Sequence, residues 1–108
     1  MTETFGEYIK RLRNESGLTL TQLAAQLDLD SANLSKIENS KRDFDEKRLK
    51  QLSVALNLDL DKLKTEFYGN LIAKKLYENK CSNDVFSVAE KKVEYLRSIN
   101  VKQINLDL

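Results

Sequence analysis

The side chains that most often carry enzyme chemistry are scarce in this sequence. It contains no histidine, one cysteine (Cys81) and three glycines. The commonest general base and metal ligand is therefore missing, which argues against a zinc site or a Cys–His nucleophile. Carboxylates are plentiful, but none stands in a recognisable catalytic spacing, and three scattered glycines do not favour a phosphate-binding loop. The sequence predicts a protein that binds rather than catalyses, with no catalytic residues, no metal and no cofactor.

The composition narrows the class of protein further. The 108 residues correspond to about one domain, and 41% hydrophobic with 32% charged residues is an ordinary globular balance. A single cysteine cannot form an intrachain disulfide, so we expect a reducing, cytoplasmic location. The net charge of +1, from 18 basic and 17 acidic residues, excludes a uniformly basic surface. Any nucleic-acid binding would have to depend on a local patch.

Helix-start signals recur through the first 69 residues. Thr4 with Glu7, and Thr19 with Gln22, have the spacing of a capping box. The five candidate N-caps are Thr4, Thr19, Asp30, Asp45 and Asp59. The helices that they open are predicted to end near Gly17, Leu27, Asn39, Asn57 and Tyr68.

Four of these caps are flanked by apolar pairs with the spacing of a hydrophobic staple, which fixes the angle at which the chain enters a helix. Together they predict five short helices joined by tight turns. The pairs are Leu18 with Leu23, Leu29 with Leu34, Phe44 with Leu49, and Leu58 with Leu63.

Beyond Gly69 the pattern is looser. Apolar residues predict a sixth helix from about Leu71 to Lys80, and a polar break then leads to a seventh helix around Phe86 and Leu96. The last residues alternate in polarity up to Leu108, which favours an edge strand or a tail that orders against a partner. We therefore divide the chain into a domain of residues 1–69 and an extension of residues 70–108.

The stretch from Leu20 to Arg42 has the features that two closely crossing helices need. Ala24 is small enough for the backbones to approach, and Asp28 is among the few residue types other than glycine that tolerate a left-handed turn. The apolar residues at the crossing are Leu23, Leu27, Leu29, Leu34 and Ile37.

This constellation resembles the helix-turn-helix of the phage-repressor and Cro type, the XRE family of bacterial transcription regulators, over residues 5–67. The resemblance implies an all-α fold: a five-helix, lambda-repressor-like DNA-binding domain with a C-terminal extension of about two helices. It also implies that the third helix, Ser31–Asn39, enters the major groove. The sequence departs from the family at Asp28 and Ser40, where glycine is usual, and at Leu20, where many relatives have glutamine.

Site residues follow from the resemblance, by match of positions. Arg13 and Glu38 match an ion pair that joins the first helix to the end of the third. The base-reading residues would be Ser31, Ala32, Asn33, Ser35 and Lys36, and Asn33 could contact either base or backbone. The phosphate-binding residues would be Thr19, Thr21, Asn39, Lys41 and Arg42.

These observations predict a sequence-specific regulator that binds double-stranded DNA as a homodimer on a (pseudo)palindromic operator. Residues 70–108 would supply the dimer interface, or would pack back on their own bundle. The alternative is a protein–protein interaction module, or an antitoxin-like partner-binding protein, on the same fold. A third role is that of a controller of neighbouring restriction-modification genes, because the N-terminal segment looks like small regulators found beside DNA methyltransferase genes.

Overall fold

The structure is a computed structural model that describes residues 2–107, and side chains for residues 2–100. Within this part of the chain all regular structure is helical. A short 3₁₀ helix, Glu46–Arg48, precedes α4. The α-helices are α1 (Phe5–Glu15), α2 (Leu20–Gln26), α3 (Ser31–Glu38), α4 (Leu49–Ala55), α5 (Leu60–Glu78) and α6 (Asp84–Asp107).

Both predicted capping boxes are confirmed. At the start of α1, the Glu7 amide donates to the Thr4 hydroxyl at 3.1 Å, and the Thr4 amide donates to the Glu7 carboxylate at 3.0 Å. The bond from the Thr4 backbone lowers the pKa of Glu7 below its ordinary value. At the start of α2, the Gln22 amide donates to the Thr19 hydroxyl at 3.1 Å, and the Thr19 amide donates to the Gln22 side-chain oxygen at 2.8 Å. The backbone enters each helix as the sequence predicts because these caps are local.

Of the next two predicted N-caps, Asp30 begins an α-helix and Asp45 begins a 3₁₀ helix. Asp30 caps α3 as expected, with its carboxylate accepting from the Asn33 amide at 2.7 Å. Asp45 instead accepts from the Lys47 amide and opens the 3₁₀ helix, and α4 follows only from Leu49. Leu49, the first residue of α4, is buried in the core.

Contacts divide the chain into two compact units, Met1–Ala73 and Lys74–Leu108. In the first unit, α1 packs on α3, and α2 packs on both α3 and α4. One apolar core fills the space between these helices. Its buried residues are Phe5, Ile9, Leu23, Ala24, Leu27, Leu34, Ile37, Phe44, Leu49, Leu52, Leu56 and Leu63.

The prediction of separate fifth and sixth helices is wrong, because α5 continues through Gly69 as far as Glu78. Gly69 keeps a helical backbone, and the next residue gives the helix a reason to continue, since the Asn70 side chain accepts from the Phe5 amide at 3.1 Å. The helix ends at Glu78, and Lys80, two residues later, is left-handed with a φ of 54°. The described extension therefore consists of the end of α5 and one further helix, not two separate helices.

The second unit contains that last part of α5 and α6. The predicted edge strand is wrong for the residues that the structure describes, because the backbone is helical up to Asp107, and Leu108 lies outside them. Large apolar side chains are exposed along α6. Among the described residues, no helix is both long and apolar enough to cross a membrane.

Candidate nucleic-acid interface

A tight turn joins α2 to α3. Asp28 takes a left-handed conformation with a φ of 54°, and the Leu29 amide donates to the Ala24 carbonyl at 2.9 Å, which closes the turn. Asp28 is one of the few residue types that adopt this backbone at small cost, so the departure from glycine is tolerated.

Two side chains from the α4 region hold this turn, and sequence reasoning missed both. Arg48 donates through Nη1 to the Leu27 carbonyl. Gln51 donates through Nε2 to the Asp28 carboxylate at 3.0 Å. These contacts span more than 20 residues, and no local spacing signals them.

The helix α3 has two contrasting faces. Leu34, Ile37 and Glu38 are buried, and they fix the helix against the rest of the first unit. Ala32 and Lys36 are exposed on the opposite side, where Ser35 is half-buried. Because residues three and four apart share a helix face, Ala32, Ser35 and Lys36 present one small polar surface.

Several of the predicted DNA-contacting residues, one base-reading and three phosphate-binding, already have hydrogen-bond partners within the protein. The Ser31 hydroxyl donates to the Thr21 hydroxyl at 3.2 Å, which joins the start of α3 to α2. Asn39, the C-cap of α3, donates through Nδ2 to the Ser35 carbonyl at 2.9 Å. The Thr19 hydroxyl is occupied as the cap of α2.

The chain leaves α3 through a second left-handed residue, Ser40, with a φ of 60°. The Lys41 amide then donates to the Lys36 carbonyl at 2.8 Å, and the Arg42 guanidinium donates to Asn33 Oδ1 at 2.6 Å. Lys36, Lys41 and Arg42 are all exposed. The end of α3 and the loop after it therefore form the local basic patch that a protein of net charge +1 would need to bind a polyanion.

Arg13 and Glu38 form a bidentate ion pair between α1 and α3. Arg13 Nε lies 2.8 Å from Glu38 Oε2, and Arg13 Nη2 lies 3.0 Å from Glu38 Oε1. The side chains are only 11% and 3% exposed, and Arg13 Nη1 also donates to the Leu18 carbonyl at 2.9 Å. The bond to Glu38 raises the pKa of Arg13 above its ordinary value. This geometry gives the pair an architectural role.

Gly6 is a further residue whose importance the sequence did not signal. A Cβ atom at this position would lie 2.1 Å from the Ile37 carbonyl oxygen and 3.0 Å from that of Glu38. Only glycine allows α1 to approach the end of α3 this closely. Nearby, the Thr4 and Ser40 hydroxyls lie 2.9 Å apart, so the same approach ties the start of α1 to the loop after α3.

The chemistry of the surface is that of recognition. Hydroxyls, an amide, a methyl group and three cations lie along α3 and the loop that follows it. Within the described residues, no group of three or more acidic, cysteine or histidine side chains is placed to hold a metal ion. Such a surface can bind a phosphate backbone and touch base edges.

Comparison with known proteins places this arrangement in a family. Residues 9–63 match the model of the helix-turn-helix family HTH_3. The transcriptional repressor RghR of Bacillus subtilis (strain 168) is 36% identical over 83 residues, which cover 73% of this chain and 62% of RghR. The control protein C.MunI of Mycoplasma sp is 40% identical over 60 residues, which cover 55% of this chain and 81% of that protein.

The fold is also similar to that of a solved phage repressor. The P22 c2 repressor, crystallised in complex with a synthetic operator, superposes with a TM-score of 0.52 at 26% identity. The match covers 57% of this chain and 94% of the repressor, and it confirms the predicted all-α, lambda-repressor-like fold. Because the family match covers half of the chain and the relatives are regulators, this chain belongs to the XRE-type helix-turn-helix family of DNA-binding transcriptional regulators.

Proposed function

We propose that this regulator binds a (pseudo)palindromic operator as a homodimer in the cytoplasm, with α3 in the major groove. The observation that carries the proposal is the polar face of α3 (Ala32, Ser35 and Lys36), exposed beside Lys41 and Arg42 while the opposite face is fixed in the core. The P22 c2 repressor, a structural neighbour, was crystallised with operator DNA.

The side chains on this surface suggest separate roles. Lys36 can donate to guanine O6 or N7, the Ala32 methyl can contact a thymine methyl, and the serine hydroxyls can contact either kind of group. Lys41 and Arg42 would neutralise phosphates, which fixes the position of the domain on the duplex. Further contacts to the phosphate backbone of the DNA would come from residues around this patch, namely Asn39, Thr19 and Thr21.

The homodimer is supported by the exposed apolar side chains of the extension, residues 70–108. In the second unit, Tyr77 is 85% exposed, and Phe86 and Leu96 are 57% and 63% exposed on α6. A single helix-turn-helix domain makes few DNA contacts, and two domains about one helical turn apart, ~34 Å, double them. Joining two copies through α6 would bury this apolar surface and supply the second half-site reader.

A second candidate role is that of a controller of neighbouring restriction-modification genes. The observation in its favour is the 40% identity to a protein named control protein C.MunI, of which the chain covers 81%. In that role the operator would lie in the DNA between this gene and the genes beside it.

Fluorescence anisotropy tests the proposal. The duplex upstream of the chain's own gene is titrated across a range of salt concentrations, with random duplex as competitor. We expect binding that outcompetes random duplex, and an affinity whose logarithm falls with log salt by about 0.9 for each phosphate contacted. An absence of binding to both duplexes at low salt would refute DNA binding and favour a protein-interaction module.

Sedimentation equilibrium tests the homodimer. Leu96→Glu places a charge in the proposed interface, so we expect a monomer that keeps its helical content and loses operator affinity. The matched control is Lys91→Glu, an exposed α6 substitution that should remain dimeric. A wild-type chain that stays monomeric at micromolar concentration contradicts the dimer and leaves the DNA-binding proposal standing.

A further inference from the structure

Asn33 lies at the centre of a hydrogen-bonded chain that joins the N-cap of α3 to the loop that follows the helix. Its Oδ1 accepts from Arg42 Nη1 at 2.6 Å, and its Nδ2 donates to Asp30 Oδ2 at 3.1 Å. The other oxygen of Asp30 accepts from the Asn33 backbone amide at 2.7 Å as the helix cap. Asp30 therefore fixes the Asn33 side chain, and Asn33 in turn fixes the Arg42 guanidinium.

The partners fix the orientation of the Asn33 amide. A flipped amide would set its Nδ2 against the Arg42 guanidinium, which only donates, and its Oδ1 against the Asp30 carboxylate, which only accepts. The observed orientation is the one in which both ends are satisfied. An asparagine that reads adenine presents its oxygen and its nitrogen to the base together. Here one lone pair of Oδ1 and one hydrogen of Nδ2 already bond within the protein, which holds the amide toward Asp30 and Arg42.

We infer that Asn33 is a positioning residue, which holds the Arg42 guanidinium on the DNA-facing side of the loop, and that it reads no base. The inference deepens the proposed function and depends on it. Arg42 follows the left-handed Ser40 in an exposed loop. Its bond to Asn33 is the side-chain contact that restrains it there. Holding it reduces the conformational entropy that a phosphate contact would otherwise cost.

A double-mutant cycle in the full chain tests this role. The variants are Asn33→Ala, Arg42→Ala and the double substitution, with Asn14→Ala as a matched control at an exposed position of α1. The first probe is a duplex of random sequence, titrated at several salt concentrations. The second is a pool of duplexes randomised over 24 base pairs, from which each variant selects its preferred sites. Thermal unfolding by circular dichroism verifies that each variant is folded.

We expect Asn33→Ala to weaken binding to the random duplex on the order of tenfold or less. Its salt slope should fall toward that of Arg42→Ala, which loses about 0.9 for one phosphate. The double variant should be no weaker than Arg42→Ala, because Asn33 acts only through Arg42. The sites selected by Asn33→Ala should match those of the wild type at every position.

Two results would overturn the inference while leaving DNA binding intact. One is a changed base preference in the sites selected by Asn33→Ala with an unchanged salt slope, which would make Asn33 a base reader. The other is additive losses from Asn33→Ala and Arg42→Ala, which would make the two residues independent. A wild-type chain that binds neither probe would instead refute the proposed function, and this inference with it.

Discussion

The bidentate pair between Arg13 and Glu38 is a buried ion pair of the first unit, and its loss should be costly. Glu38→Gln keeps the shape of the side chain and removes its charge. Arg13 would then keep its bond to the Leu18 carbonyl but would face one neutral acceptor and an amide group, which cannot accept from it. The guanidinium would remain in a position that is only 11% exposed.

The expected cost follows from the burial of the pair. Removing one partner of a fully buried ion pair costs about 3–5 kcal/mol, since an uncompensated charge remains. The Arg13 side chain lies nearer the surface than Glu38, and water can reach part of it, so we expect ~3 kcal/mol. For a domain of this size that corresponds to a fall in melting temperature of roughly 12–24 °C.

Urea denaturation followed by circular dichroism measures this free energy. The control is Glu3→Gln, which removes a partner of Arg11 on the same helix, where the pair is solvent-exposed and the change should be far smaller. The double variant Arg13→Met with Glu38→Leu should recover most of the stability, because no charge is left unpaired. A loss below about 1 kcal/mol for Glu38→Gln would refute the argument from burial.

Substitutions at Gly6, Ser40 and Arg48, with Gly69 and Lys47 as controls, test the contacts that fix the domain. Gly6→Ala should lower the free energy of unfolding by ~1–3 kcal/mol, since its Cβ meets backbone oxygens of α3. Gly69→Ala, whose Cβ meets open space, should raise the free energy of unfolding by about 0.5–1 kcal/mol. Equal effects of Gly6→Ala and Gly69→Ala would contradict the close approach of α1 to α3. Ser40→Gly relieves a φ of 60° but removes the exposed hydroxyl bond to Thr4, so we expect it to raise the free energy of unfolding by at most ~1 kcal/mol, as urea denaturation would show. Arg48→Ala should lower the free energy of unfolding by ~1.5–3 kcal/mol, because it removes the bond to the Leu27 carbonyl, and Lys47→Ala should lower it far less. Equal losses for the two variants would mean that this bond contributes nothing.

Helix starts could be predicted from the sequence because their causes are local. A cap and its partner are three residues apart, as in Thr4 with Glu7, so the spacing alone indicates the hydrogen bonds that form. The left-handed turns at Asp28 and Ser40 followed from comparing these positions with the family pattern, and the backbone angles agree. Core residues such as Leu23, Leu34 and Leu49 followed from the spacing of the hydrophobic staples.

The features that the sequence did not indicate depend on residues distant in the chain. Gly69 looked like a helix end, but its neighbour Asn70 bonds to Phe5, 65 residues away, and α5 continues. In the same way, the contacts of Arg48 and of Arg42 join separate elements. A turn signal gives only a local tendency, and tertiary hydrogen bonds decide whether the helix stops there.

The small reading face of α3 limits how much sequence information each half-site can provide. Serine offers single hydrogen bonds and alanine a methyl contact, whereas discrimination is strongest with bidentate pairs. Ser31 also already bonds to Thr21. We therefore expect the spacing of the half-sites and the deformability of the DNA between them to supply part of the specificity.

Changing base pairs between the half-sites, which lie outside the proposed contacts of α3, tests this expectation. An A·T-rich spacer replaced by a G·C-rich one, with the contacted positions kept, should change operator affinity by an amount comparable to one mismatched contact, about 1–3 kcal/mol. Anisotropy against both duplexes at one salt concentration measures the difference. Equal affinities would mean that the side chains of α3 carry the specificity by direct contact, despite their size.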